Sequence, residues 1–479
     1  MGEETWHAAR LIPTSGINGA EEQERRATSA LLAVIPGVKE FGRTLLSPMG
    51  APAGQLETYI EVPFDHGERT VYPDGLIRAK RGQKVWTALV EVKTGNNQLH
   101  AEQLDNYLDI AKQQGFDAVI TISNEIPPAP GQHPTAVDRR KLRKVDLHHL
   151  PWVQILSAAV LQKEHRGVAD PDQAWILGEL IRYLEHPRSG AMAFEDMGPS
   201  WVPIREAVRA GTLRANDKGV LDVVARFDAL LRYVGLRLGQ RLGADVQPAL
   251  GRKELSEPRL RSQALVESLI ATGTMFGAIR IPDAAATLHL TADLRANQIA
   301  CHCDVDAPRQ GRPRTRVNWL VRQLKDAPGG ALRIEAFLVH GRGSSTAELL
   351  HAVRETPDVL IPDAGKELRS FRITQMSAMG TKRGTGRGSF IDSVLDAVDQ
   401  FYGDVLQNLR AWSPSAPKLR EDPDSPDVLA ALVSTALSSQ DDPETADAPA
   451  PGGTAPSASS NEPRETSSAH ESPGYRDRW

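Results

Sequence analysis

Two carboxylates and an ammonium stand in strand-like sequence between residues 71 and 95. The stretch VYPDGLIRAKRGQKVWTALVEVKTG places Asp74, Glu91 and Lys93 among residues suited to burial. Side chains alternate along a strand, so Glu91 and Lys93 share a face with Val85, Thr87 and Leu89. Trp86, Ala88, Val90 and Val92 point the other way. Arg81, Gly82 and Gln83 read as a turn. With antiparallel neighbours around that turn, Asp74 falls within a residue or two of Glu91 across the pair. Two acids buried without partners are costly, so the pattern predicts a bound cation. Carboxylate oxygens suit Mg²⁺, and the backbone carbonyl of Val92 adds a further oxygen. A cation held there can polarise a phosphodiester and activate water. Lys93 can orient that water or offset charge on the phosphate.

These residues need a scaffold, and the flanking sequence supplies one. Residues 20–35 have a helical period, with Glu24, Ala27, Leu31 and Ile35 on one face and Pro36 and Gly37 as the stop. Residues 58–64, 70–80 and 84–94 read as three strands. Residues 98–114 read as a helix with Leu99, Leu104, Leu108 and Ala111 inward, ended by Gly115. Residues 117–123 read as a buried strand. The order is helix, three strands, helix, strand.

YPDG followed by LVEVKTG, on elements in that order, resembles the PD-(D/E)XK nuclease superfamily. The resemblance covers about residues 16–123. It implies an α/β restriction-endonuclease-like core in which Asp74 and Glu91 hold metal and Lys93 assists catalysis. It also implies a glutamate from the first helix as a further metal ligand, best matched by Glu24, with Glu21 as the fallback. Gln103 and Tyr107 match the Gln-x-x-x-Tyr of RecB-type members, one helical turn apart. The implied cofactor is Mg²⁺, with Mn²⁺ able to substitute. The implied substrate is DNA, with RNA left open. The expected activity is endonucleolytic, of restriction or phage-defence type. The alternatives are a repair or recombination nuclease acting on ends or junctions, a module that binds nucleic acid without cutting, and a scaffold whose tail carries the function.

Beyond the core, residues 152–162 and 172–185 look helical, and residues 1–188 are read as the nuclease domain. His148 and His149 read as a helix start or surface pair. Residues 189–272 read as a helical segment, and residues 273–412 as an α+β C-terminal domain that recognises the target or a protein partner. Within it, 346–353 reads as a helix and 389–412 as the final helix. Cys301 and Cys303 lie in a strand and lack a second pair for zinc. Two basic stretches, 309–325 and 382–387, suit phosphate contact, and Trp319 reads as core. The glycine-rich loop at 380–388 lacks the P-loop pattern.

Charge is unevenly spread. Residues 413–479 hold 12 acids and 5 Lys or Arg, a balance of −7, so the rest carries +2 of the net −5. That tail is rich in Pro, Ser and Ala and is expected to be disordered, with 427–437 able to form a short helix on a partner. No apolar run reaches the roughly 20 residues of a membrane span, and no secretory leader is evident at the start, so a cytoplasmic protein is expected.

Overall fold

The alternation at residues 84–92 organises the first half of the molecule. In the computed structural model, the described residues are 11–414, apart from 16, 18, 68, 128–130, 342 and 364. Helices α1 (Ala20–Gly37) and α2 (Lys39–Leu46) precede strand β1 (Gln55–Ile60). A small antiparallel hairpin follows, β2 (Phe64–His66) and β3 (Arg69–Val71). Strands β4 (Gly75–Arg81) and β5 (Lys84–Val92), helix α3 (Ala101–Gln114) and strands β6 (Ala118–Ser123) and β7 (Asp146–Pro151) complete the sheet region. The sheet order is β1-β4-β5-β6-β7. β1, β4 and β5 pair antiparallel, whereas β5, β6 and β7 pair parallel.

One sheet face presents Trp86, Ala88, Val90, Val92, Ile120 and Ile122 to an apolar core shared with α1, α2 and two further helices. Those helices are α4 (Trp152–Val160) and α5 (Pro171–Leu184). The other face packs Leu76, Leu89 and Val119 against Tyr107, Leu108 and Ala111 of α3. The result is a sheet between two helical layers, with β5 buried on both faces as a central strand should be.

Several expected boundaries move. The strand expected at 58–64 begins earlier, at Gln55, and ends at Ile60. The strand expected at 70–80 divides, because residues 69–71 turn aside into the β2–β3 hairpin and pairing resumes at Gly75. The helix expected to stop before Pro36 runs on to Gly37; the bond that Pro36 cannot make to the Leu32 carbonyl is replaced by one from Thr58 Oγ1 at 2.7 Å. The reading of His148 and His149 as a helix start or surface pair is corrected. Both lie in β7, whose polar LHHL centre conceals a strand made by pairing with β6.

The second half has its own core. It contains α6 (Trp201–Ala210), α7 (Val220–Leu242), β8 (Gln247–Pro248), α8 (Arg252–Ser256) and α9 (Pro258–Ala271). Then come β9 (Thr274–Arg280), β10 (Leu288–Asp293), β11 (Gln298–Asp306) and α10 (Pro313–Gln323). β12 (Leu332–Leu338), β13 (Thr346–Leu349), α11 (Leu350–Glu355), β14 (Leu368–Ala378) and α12 (Phe390–Asp404) finish it. All seven strands pair antiparallel, in the order β13-β12-β14-β11-β10-β9-β8.

A single apolar core takes in Val153 of α4 and runs from Phe194 through α7 and the sheet to Leu409. The helical segment and the α+β region, divided in sequence, therefore bury their faces against each other. Cys301 and Cys303 are free thiols in this core, and burial pushes the Cys301 thiol up to about 12. Residues 346–349, read as helical, are strand because edge pairing with β12 overrides their propensity. The final helix ends at Asp404 rather than near 412. The expected disorder of the tail lies outside the described residues beyond 414. Among the described residues, no helix is long and apolar enough to cross a membrane.

Gly75 shows how tightly α1 and the β4–β5 pair meet. A Cβ there would lie 2.3 Å from Leu32 Cδ1 and 3.6 Å from Val90 Cβ. Gly75→Val is expected to destabilise by roughly 1–3 kcal/mol through overpacking. Denaturant unfolding of the variant against wild type measures this, and equal midpoints would show that α1 yields freely.

Candidate active site

β4 and β5 align Gly75 with Val90, so Asp74 stands opposite Glu91 at the end of the pair. The Val92 amide donates to Asp74 Oδ2 at 2.7 Å, fixing that carboxylate across the strands. A strand residue directs its N–H and C=O toward the same neighbour, so the Val92 carbonyl also faces the Asp74 side. Glu91 is 1% exposed and lies on the α3 face. Lys93 follows the strand on the same side. Its ammonium reaches Glu91 Oε1 at 2.5 Å and Glu24 Oε1 at 3.1 Å.

The α3 layer completes the cluster. Gln103 Nε2 donates to Glu91 Oε1 at 2.7 Å and to the Tyr107 hydroxyl at 3.0 Å. From α1 comes Glu24, while Glu21 is exposed and paired with Arg25 at 3.0 Å. The structure thus brings together Asp74, Glu91, Lys93, Glu24, Gln103 and Tyr107, and it separates Glu21 from them.

Burial and like charge shape the titration. Glu91 is raised to about 7, first by burial and then by the neighbouring Asp74 charge, against the pull of Lys93. Asp74 is raised by burial, partly opposed by the Val92 amide. Burial works against the Lys93 ammonium, but Glu91, Glu24 and Asp74 together hold its pKa above the usual value. Tyr107 is pushed up by burial and then by Glu91, so it remains a donor.

The donor set fits a hard cation in part. Glu91 Oε2 is buried and has no hydrogen-bond partner. It belongs to a carboxyl crowded by Asp74, as a site completed by a cation would have it. Among the described residues, however, no three His, Cys, Asp or Glu side chains are arranged to hold a metal. Glu24, expected beside Asp74 and Glu91 as a ligand, meets the cluster through Lys93 in this structure. Its carboxylate is bound to Lys93, which links it to Glu91 through an ammonium.

Sequence reasoning missed several groups. Asn97 Nδ2 donates to Glu24 Oε2 at 3.4 Å, and Trp152 Nε1 donates to the Lys93 carbonyl at 2.9 Å. Asn97 lies in the irregular stretch after Lys93, where spacing gives no signal, and nothing in the sequence ties Trp152 to the site. Thr121 and His149 share a register row with Glu91. Thr121 Oγ1 lies 2.8 Å from both His149 Nδ1 and His133 Nε2. Burial lowers His149 to about 3, so that flank is neutral.

No family model matches the chain, and no curated protein matches it either.

The basic stretches differ from expectation. Arg316 is buried, and its guanidinium donates to the Leu368 carbonyl at 2.8 Å and the Gly311 carbonyl at 3.1 Å. It closes a loop and has no reach to a phosphate. Arg314 pairs with Asp358 at 3.0 Å. Arg309 and Arg312 are exposed, as are Lys382, Arg383 and Arg387. Trp319 packs at the edge of the core, as expected.

Glu91 gives a pH test. Its folded value of about 7 lies above the ordinary 4.5, so the native state holds the proton more tightly between those values. The metal-free protein should therefore lose stability as pH rises from about 5 to about 7, with Asp74 acting in the same direction. Glu91→Gln stays neutral and should flatten that decline. Denaturant unfolding of both proteins across that range, in EDTA, measures the two slopes. Parallel slopes would mean that Glu91 titrates normally.

Proposed function

We propose that the chain is a Mg²⁺-dependent DNA endonuclease with a restriction-endonuclease-like PD-(D/E)XK core. The observation that carries this reading is the convergence of Asp74, Glu91 and Lys93 at one sheet end, with an unpartnered Glu91 oxygen among them. Glu24, Gln103 and Tyr107 in the same cluster support it further. The restriction or phage-defence setting follows from the family resemblance alone, since a fold does not settle biology.

Each side chain has a task. Asp74 and Glu91, with the Val92 carbonyl, would hold Mg²⁺, and Mn²⁺ suits the same oxygens. When bound, the cation supplies charge neutralisation at the phosphate and a more acidic water. The Lys93 ammonium remains charged because carboxylates flank it, so it can offset negative charge building on the scissile phosphate. Glu24 aims that ammonium by a direct ion pair. Gln103 holds Glu91 in one rotamer, and Tyr107 holds Gln103. DNA is the proposed partner, and exposed Arg309, Arg312, Lys382, Arg383 and Arg387 offer phosphate contacts. RNA is tested alongside it.

Pure protein is incubated with circular and linear DNA and with RNA, in Mg²⁺, Mn²⁺ or EDTA. Nicking or linearisation of circular DNA that EDTA abolishes is expected. Digestion confined to linear DNA would instead favour the end-directed repair reading. Asp74→Ala, Glu91→Ala and Lys93→Ala should each lower cleavage by roughly a hundredfold or more. DNA binding in Ca²⁺ should persist in all three, and any variant that cuts as wild type does removes its residue from the chemistry.

A second expectation concerns affinity. Replacing exposed Arg309 and Arg312 with alanine should flatten the log–log salt dependence of binding by roughly 0.9 per lost duplex phosphate contact. Titration of binding with salt in Ca²⁺ reads the slope, and an unchanged slope would mark this stretch as a solvated face.

A further inference from the structure

Residues 188–192 lead into the C-terminal core, and they bond to the chain next to Glu24 on one side and next to Lys93 on the other. Gln23, adjacent to Glu24, donates through Nε2 to the Arg188 carbonyl at 3.0 Å. Gly95, two residues beyond Lys93, donates its amide to the Gly190 carbonyl at 2.9 Å. Asn124 at the end of β6 ties these strands of chain together. Its Nδ2 donates to the Gly95 carbonyl at 3.0 Å and the Gly190 carbonyl at 2.7 Å. Its Oδ1 accepts from the Met192 amide at 2.8 Å. One amide side chain thus satisfies three backbone groups of two irregular segments.

Packing makes the same junction tight. Gly190 has φ +78°, and a Cβ there would lie 2.5 Å from the Gln23 amide and 2.7 Å from Thr94 Cβ. The segment therefore fits between the neighbours of Glu24 and Lys93 only as glycine. Phe194, two residues past Met192, is already part of the C-terminal core. Gly95, Asn124 and Met192 also line a cleft of about 580 Å³ beside the site, together with Arg226 of α7.

We propose that Asn124 and Gly190 form a clasp that sets the placement of Lys93 relative to Glu24 and makes it depend on the C-terminal core. The proposal rests on the nuclease reading for its catalytic consequence, though not for its geometry. Both are positioning residues, because neither touches the carboxylates or the ammonium. Asn124→Asp keeps the acceptor for the Met192 amide and loses both donors to carbonyls. Asn124→Ala loses all three bonds. Gly190→Ala leaves Asn124 intact and wedges the segment away from Thr94.

The experiment uses the full chain and two readouts. Single-turnover cleavage at saturating enzyme should fall roughly ten- to a hundredfold in each variant, as misplacement of a reacting group does. DNA affinity in Ca²⁺ should remain at the wild-type level. Independently of activity, Lys93 should acylate faster with an amine-reactive reagent, read by mass spectrometry, because a displaced ammonium leaves its two carboxylates. Thermal unfolding is measured alongside. Slower cleavage with faster labelling supports the clasp. A lowered melting temperature with wild-type cleavage and labelling would reduce Asn124 and Gly190 to a fold role and overturn it. If the wild-type protein cuts nothing, the nuclease reading fails and the labelling rates alone decide for or against the clasp.

Discussion

The Lys93 ammonium, held between Glu24 and Glu91, is the interaction on which the rest of the site turns. Without it, the end of the sheet would hold Glu91 almost wholly buried beside Asp74, with only neutral donors to balance two carboxylates. Like charges in a shared low-dielectric space do not both stay ionised, and the raised values of Glu91 and Asp74 record that conflict. The ammonium relieves part of it, and the orphaned Glu91 oxygen marks what is left unrelieved. A buried arrangement of this kind adds little to stability, since desolvation consumes most of the Coulomb gain.

The surrounding architecture follows from the need to hold three charges at one point. From Trp86 onward β5 is buried on both faces and, Thr87 apart, apolar until Glu91, which anchors it as a central strand and leaves little freedom of register. A slip of one residue would turn Glu91 into the core of Trp86, Val90 and Val92 and send those side chains toward α3. The β4–β5 register then delivers Asp74, and the first helix delivers Glu24 because Ala27, Leu31 and Ile35 bury on the same side. The polar cluster is thus placed by apolar packing some distance from it.

How much of this was legible depended on the range of the interaction. Strand alternation is local, so the faces of Glu91 and Trp86 could be read directly from the order of residues. Helical period is local too, which is why Glu24 could be preferred over Glu21 on its shared face with Ala27 and Leu31. The hairpin at 64–71 and strand β7 were missed because pairing partners, rather than intrinsic preference, make those residues extended. Arg316 was misjudged for the same reason. Its side chain caps loop carbonyls that only the folded chain brings near, and a basic run looks alike whether its members face solvent or backbone. Trp152 and Asn124 left no local signal, since their bonds to the Lys93 loop span 59 and 29 residues.

Those long-range bonds bear on why the chain carries a second core at all. The C-terminal core is larger than the N-terminal one and its sheet is entirely antiparallel, yet the residues leading into it from Gly190 to Met192 are spent on the loop beside Lys93. A recognition element joined by a slack linker would bring DNA close to the site without changing the site's geometry. Here the connection is short, hydrogen-bonded on both strands of chain and closed by a glycine with no room for a side chain. If the proposed clasp holds, a displacement of the C-terminal core would be transmitted to the segment between Glu24 and Lys93 rather than absorbed. Packed interfaces shift between discrete arrangements instead of deforming smoothly. On the proposed reading, a site held this way would respond to whatever the second core binds, a physical route from recognition to chemistry without any ligand common to both.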